Sequence, residues 1–292
     1  MHAKKRDIPV LLLLFLPGFI YYAFLLLYPL AQGVQLSFYK WPTLTTRVWA
    51  GIDNYKDLMN APLFWKSLKN SLIFMGATTF FQVIIGYIVG YLVYMQLKGH
   101  RFFKTVFFMP NVLTTVAVGF VWGYIFSPSI GILKPIMTAI GLGKYYISPL
   151  ADPKLALAAI IIAQIWNQVG VQVVLFNSGF MGLNEEVLES AAIDGASGLK
   201  THIYMVIPLS WPVIQTITVL QIVGALRSFD LVWAMTMGGP NHATEVLPLH
   251  LFVNAFSYFN LGYGSAVGVV IFILAIGITS MMRRLMRRDL TS

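Results

Sequence analysis

Six stretches of the chain carry no Lys, Arg, Asp or Glu: 8–39, 70–97, 105–133, 155–184, 201–226 and 246–282. Each is at least 26 residues long, and about 20 predominantly apolar residues cross a bilayer as a helix. None is long enough for two crossings and a turn. The pattern predicts an all-α integral membrane protein of six transmembrane helices, near 9–37, 69–95, 106–127, 155–180, 206–228 and 262–284. A membrane β-barrel would alternate apolar and polar positions over segments of about ten residues. Unbroken runs such as Leu11–Leu16 contradict that.

The expected organisation is a single transmembrane domain over 1–292, with external loops at 38–66, 128–154 and 229–261 and a cytoplasmic loop at 181–204. Pro128, Gly131, Pro135, Gly141, Gly143, Pro149 and Pro153 should keep the second external loop from forming a long helix. Lys4, Lys5 and Arg6 before the first apolar run raise the question of a signal peptide. The run is too long, and Pro29-Leu30-Ala31 offers no small-x-small cleavage site, so a retained first helix is expected.

Composition agrees with the pattern: 58% of residues are hydrophobic and only 11% charged, against about a quarter charged in soluble chains. Charge then orients the helices. The segments 1–7, 98–104, 185–200 and 283–292 carry 11 Lys and Arg in 40 residues, and the opposite side carries 9 in 70. Basic residues favour the cytoplasmic side, so both termini are expected there. Arg283, Arg284, Arg287 and Arg288 read as a flank meeting anionic headgroups, and the net charge of +9 needs no nucleic acid. With no cysteine, disulfides, thiol catalysis and thiolate metal sites are excluded. His2, His100, His202, His242 and His250 show no metal-like spacing.

The loop 181–204 differs from its surroundings. Asn184 can cap a helix with Glu185 and Glu186 in its first turn. Val187, Leu188, Ala191 and Ala192 supply an apolar face at helical spacing before Gly195 and Gly198 interrupt. Helix, glycine, helix suits a plug for a partner, and equally an interfacial hairpin joining two spans. Its wording separates the two. Glu189-Ser190-Ala191-Ala192-Ile193-Asp194-Gly195-Ala196, followed by Pro208 thirteen residues past Gly195, resembles the EAA loop of permeases from binding-protein-dependent type I ABC importers. Ser190 and Met205 depart from the usual alanine and isoleucine. Gly51-Ile52-Asp53-Asn54-Tyr55 is similar to an external motif of sugar permeases, and Pro110, Trp122, Pro128 and Gly131 match further landmarks. Thr236-Met237-Gly238-Gly239-Pro240, with Thr244 after it, is similar to a segment of the maltose-type carbohydrate family.

The resemblance implies an ATP-driven importer of an oligosaccharide, monosaccharide or polyol phosphate. Glu189, Ala191, Asp194, Gly195, Ala196 and Pro208 would belong to the ATPase-coupling element. The implied partners are a second permease, an ATPase dimer, an extracytoplasmic binding protein and membrane lipid. ATP-Mg would sit on the ATPase, with no cofactor bound here and no enzyme activity in this chain. Gly195-Ala196-Ser197-Gly198-Leu199-Lys200-Thr201 lacks the spacing of a phosphate-binding loop.

Polar residues inside the windows are the candidates for a solute path. Gln164, Gln168 and Gln172 stand at i, i+4 and i+8 with Asn167 close to their face, and Gln215, Thr218 and Gln221 at i, i+3 and i+6. Amides both donate and accept, which suits a hydroxyl-rich solute. Hydrogen bonding between helices explains them too. Arg227 and Asp230 form either an ion pair or part of the path. Tyr91, Tyr94, Trp122, Tyr124 and Trp166 suit ring stacking or interfacial anchoring, and Gly86 with Gly90 suits close helix packing. A secondary transporter, or an importer of another solute, remains the alternative. The first would need a carboxylate inside a span or internal repeats, and neither is present.

Overall fold

The computed structural model describes residues 8–41, 46–127, 129–193 and 198–287. Lys4, Lys5, Arg6, Pro128, Asp194, Gly195, Ala196 and Arg288 lie outside them. The described chain is almost wholly helical and falls into two compact units, Met1–Ala61 with His250–Phe272, and Pro62–Leu249 with Ile273–Ser292.

In the first unit, α1 runs from Ile8 to Tyr22 and continues through a π-helical turn, Ala23–Leu27, to Tyr28–Leu36. No side chain from Leu14 to Leu36 is buried, as expected of a helix whose solvent is lipid. A two-residue hairpin, β1 Tyr39–Lys40 and β2 Val48–Trp49, pairs Tyr39 with Trp49 and leads into the short helix α2, Asp53–Asn60. The Gly-Ile-Asp-Asn-Tyr segment ties this together. Gly51 takes the left-handed conformation at φ +55°, Asn54 donates to the carbonyls of Ser37 and Tyr39 at 2.8 Å each, and Tyr55 Oη meets Ser37 Oγ at 2.6 Å. Two orphan carbonyls just past α1 thereby gain donors.

The second unit is built on α3, Pro62–Tyr94, packed along α7, Ala156–Met181. Between them come α4, His100–Val112, α5, Thr115–Ile125, and α6, Leu133–Ala139. After α7 follow α8, Glu185–Ile193, α9, His202–Leu209, α10, Trp211–Leu226, and α11, Asp230–Thr236. Helices α12, Leu247–Ser257, and α13, Leu261–Leu285, complete the chain, and the stretch His250–Phe272 within them belongs to the first unit. Close approach of α3 and α7 rests on the two expected glycines. A Cβ at Gly86 would lie 2.4 Å from Gln172 Cβ, and one at Gly90 would lie 2.8 Å from Phe176 Cβ. Gly86→Val should therefore cost about 1–3 kcal/mol through overpacking, read as a lowered unfolding midpoint in detergent. Gly76→Val, with nothing within 4 Å of its missing Cβ, should cost less.

Four described helices are long and apolar enough to span a membrane, or up to six if each bent pair counts once. The two bends depart from the straight helices expected near 106–127 and 206–228. Helices α4 and α5 meet at 98°, and α9 and α10 at 59°. Extended Leu113 and capping Thr114, whose Oγ1 accepts from Ala117 N at 3.3 Å, break the first. Pro212 cannot donate, and its ring crowds the carbonyl four residues back, which breaks the second. Helix α3 starts at Pro62 rather than near 69, because Lys66 and Lys69 extend the helix beyond the apolar run and Lys66 Nζ finds the Asn241 carbonyl at 2.7 Å. The stretch 229–261 contains the whole of α11 and α12. Between them, the Gly-Gly-Pro segment is fastened by Thr244 Oγ1 donating to the Gly239 carbonyl at 2.8 Å and by Asn70 Nδ2 to the carbonyls of Ala243 and Glu245. Gly238, at φ +88°, permits the turn.

Candidate functional site

Polar side chains inside the second unit gather in two places. One is a cavity of about 250 Å³ lined by Thr115, Gln164, Gln168, Gln221, Arg227 and Asp230. It draws on α5, α7 and α10 and the start of α11, so residues far apart in sequence converge there. Arg227 and Asp230 both face it without forming an ion pair within 4 Å, contrary to one of the two expected readings. Asp230 opens α11 instead of closing α10, and the chain turns between them.

Beneath the cavity runs a chain of amides. Gln172 Nε2 donates to Gln221 Oε1 at 2.6 Å, Gln221 Nε2 donates to Gln82 Oε1, and Gln82 Nε2 donates to the Gln164 carbonyl at 2.9 Å. Gln82 is completely buried. Helices α3, α7 and α10 are thus joined by three hydrogen bonds in lipid-depth interior, where each is worth on the order of 1 kcal/mol. Gln164 Oε1 and Gln172 Oε1 are buried acceptors with no partner, and Gln164 belongs to the cavity wall. An unsatisfied buried acceptor is costly unless something donates to it.

The remaining candidates do other work. Asn167 Nδ2 donates to the Pro110 carbonyl at 2.9 Å, and Asn111 Nδ2 donates to Gln168 Oε1 at 3.2 Å. These two residues of α7 satisfy the backbone and side chain at the α4–α5 break, as irregular backbone within a membrane requires. Thr218 Oγ1 bonds the Ile214 carbonyl of its own helix at 2.7 Å. Gln215 and Trp211 both donate to the Met286 carbonyl near the end of α13, away from the cavity lining. Tyr91 and Tyr94 pack on Phe180, and Trp122 on Trp166 and Phe126.

The second place is the loop between α7 and α9. Asn184 Oδ1 accepts from Glu186 N at 3.0 Å and caps α8 as expected. Leu183 and Leu188 pack on a buried cluster of Phe176, Phe180, Val206 and Ile217. His202 lies against the Tyr91 ring at 4.2 Å, with Tyr87 Oη 3.2 Å from its Nε2. Glu189 is exposed, and so are the apolar Ile193 (87%), Tyr204 and Met181. Large apolar side chains open to solvent beside an anchored helix mark a surface that something covers. Ala191 falls within α8, and Pro208 within α9.

Among the described residues no group of His, Asp and Glu could hold a metal ion. Sequence reasoning missed Gln82. An amide at the middle of an uncharged window was its signal, since such a group cannot face lipid.

Residues 82–291 match the family described as binding-protein-dependent transport system inner membrane component. The multiple sugar-binding transport system permease protein MsmF of Streptococcus mutans is 32% identical over 257 residues, covering 88% of this chain and 87% of that protein. The trehalose/maltose transport system permease protein MalF of Thermococcus litoralis is 26% identical, covering 94% and 93%. In fold, the chain superposes on a chain of a bacterial ABC transporter involved in the import of the acidic polysaccharide alginate, with a TM-score of 0.84, 22% identity and 98% of each chain covered.

Proposed function

Because this chain belongs to the family of binding-protein-dependent transport system inner membrane components, we propose that it is one permease subunit of an ATP-driven importer for a carbohydrate. The observation that carries the reading is the amide-lined cavity, whose wall includes Gln164, Gln168 and Gln221, each with a side-chain carbonyl oxygen. Carbohydrate hydroxyls can donate to such an oxygen and accept from the neighbouring amides. Relatives named for sugar and trehalose/maltose transport support the solute class. The chain itself is a permease, and ATP-Mg is consumed on a separate ATPase dimer.

The chain crosses the cytoplasmic membrane six times with both termini inside, each bent pair counting as one crossing. That reading rests on the basic residues of 98–104, 185–200 and 283–292. A second permease completes the solute path, and an extracytoplasmic binding protein delivers the sugar to the external side. The ATPase docks on α8, where Glu189 and Ile193 are exposed. Asp194, Gly195 and Ala196 continue this docking element in the sequence. ATP-driven closure pushes on α8 and is transmitted through Phe176, Phe180 and Val206 to α7 and to the α9–α10 bend.

Affinity purification of the full chain from native membranes tests the reading. A stoichiometric ATPase and second permease, with ATP-dependent sugar uptake after reconstitution, are expected. Solute movement by the chain alone without ATP would replace it with a secondary transporter. Gln164→Leu should raise the KM of uptake about tenfold, the worth of one good hydrogen bond to the solute. An unchanged KM would remove Gln164 from the path.

A further inference from the structure

Helix α3 ends and α4 begins in a tight basic turn. Gln96 has a left-handed backbone at φ 51°, and Gly99 follows at φ 88°. Beneath the turn lies a cavity of about 430 Å³ lined by Gln96, His100, Arg101, Lys104, Asn177 and Met181. Its wall has five nitrogen-bearing side chains, Gln96, His100, Arg101, Lys104 and Asn177, and no carboxylate. Neither Arg101 nor Lys104 forms an ion pair among the described residues. Asn177 is over nine-tenths buried, and its Nδ2 reaches only the Met181 thioether at 3.8 Å, a weak acceptor. A buried amide with so poor a partner, facing a cationic cavity, is suited to receive oxygen.

Lys104 also lines a second cavity, of about 490 Å³, whose wall is otherwise Thr105, Phe108, Met109, Val112 and Val174. The cationic hollow therefore continues into an apolar groove along α4. Met109 and Val112 in its wall stand exposed. A charged head beside an apolar channel at the end of a membrane-spanning helix is the shape of one ligand class. We propose that the α3–α4 turn is a binding site for an anionic phospholipid, its phosphate held by Arg101, Lys104 and the Asn177 amide and one acyl chain laid along Phe108, Met109 and Val174. Basic pockets between helices at the cytoplasmic boundary recognise such headgroups. A zwitterionic lipid brings its own cation into the same hollow and is disfavoured. The site is separate from the solute cavity, whose lining it does not share.

The test is native mass spectrometry of the full chain in its purified membrane complex, titrated in detergent with phosphatidylglycerol or phosphatidylcholine. Phosphatidylglycerol should bind about thirtyfold more tightly, and Arg101→Gln with Lys104→Gln should remove that preference. Lys134→Gln with Lys144→Gln, which also removes two charges, should leave it intact. Val174→Trp, filling the groove, should weaken phosphatidylglycerol about tenfold. Equal binding of the two lipids, or a preference that survives Arg101→Gln with Lys104→Gln, overturns the proposal. Displacement of the lipid by soluble glycerol phosphate at equal concentration also overturns it, because the site would then serve a free phosphate.

Discussion

Reversing one exposed charge, Glu189→Arg, should reduce ATP-driven uptake by thirtyfold or more while leaving the permease folded. Glu189 lies exposed on α8, and another face of the helix packs through Leu188 on Phe176, Phe180, Val206 and Ile217. Surface substitutions away from packing usually change stability by no more than about 0.5 kcal/mol, so the unfolding midpoint should hardly move. At an interface the arithmetic differs. Disturbing a desolvated charge contact costs about 2–5 kcal/mol of association, which is roughly thirtyfold to several thousandfold in affinity. The measurement is ATP-dependent sugar uptake in proteoliposomes, beside recovery of the ATPase with the tagged permease. Loss of both places Glu189 in the docking contact. Loss of uptake with the ATPase still bound assigns it to coupling, and normal uptake with normal recovery removes α8 from the mechanism.

The second large effect is thermodynamic. Gln82→Leu removes the acceptor for Gln221 Nε2 and the donor to the Gln164 carbonyl. Two interhelical bonds at on the order of 1 kcal/mol each are lost, and the stranded Gln221 amide adds a desolvation penalty of about 1–3 kcal/mol. A destabilisation of about 3–5 kcal/mol is expected from these terms, large against ordinary point mutations. Gln82→Leu combined with Gln221→Leu should cost less than the sum of the separate changes, since the stranded group is then gone. Strict additivity in that cycle, measured by unfolding in detergent, would mean the two amides do not interact.

The helices were legible because lipid disfavours charge, so charge-free windows mark where they lie. The bends were not. Pro110, Pro208 and Pro212 announce breaks, but the 98° and 59° angles are set by what packs around them, including Asn167 and Gln168 from a helix fifty residues away. The glutamine stripe was legible as one face of α7 and misleading as a single environment. Gln164 reaches a cavity, Gln168 serves the break as well as the cavity, and Gln172 is sealed against Gln221. Periodicity reports which side of a helix a residue occupies, and the partner at each height is a tertiary fact. Gln215 shows the same limit, since its spacing to Gln221 matched while the carbonyl it meets is that of Met286.

The amide chain from Gln172 through Gln221 and Gln82 ends on a backbone carbonyl, which can accept a hydrogen but never give one. Its polarity is therefore fixed, because no concerted flip of the three side chains can reverse it while that last bond persists. Sliding α10 past α3 and α7 would have to break both of the bonds that Gln221 makes, one to each of those helices.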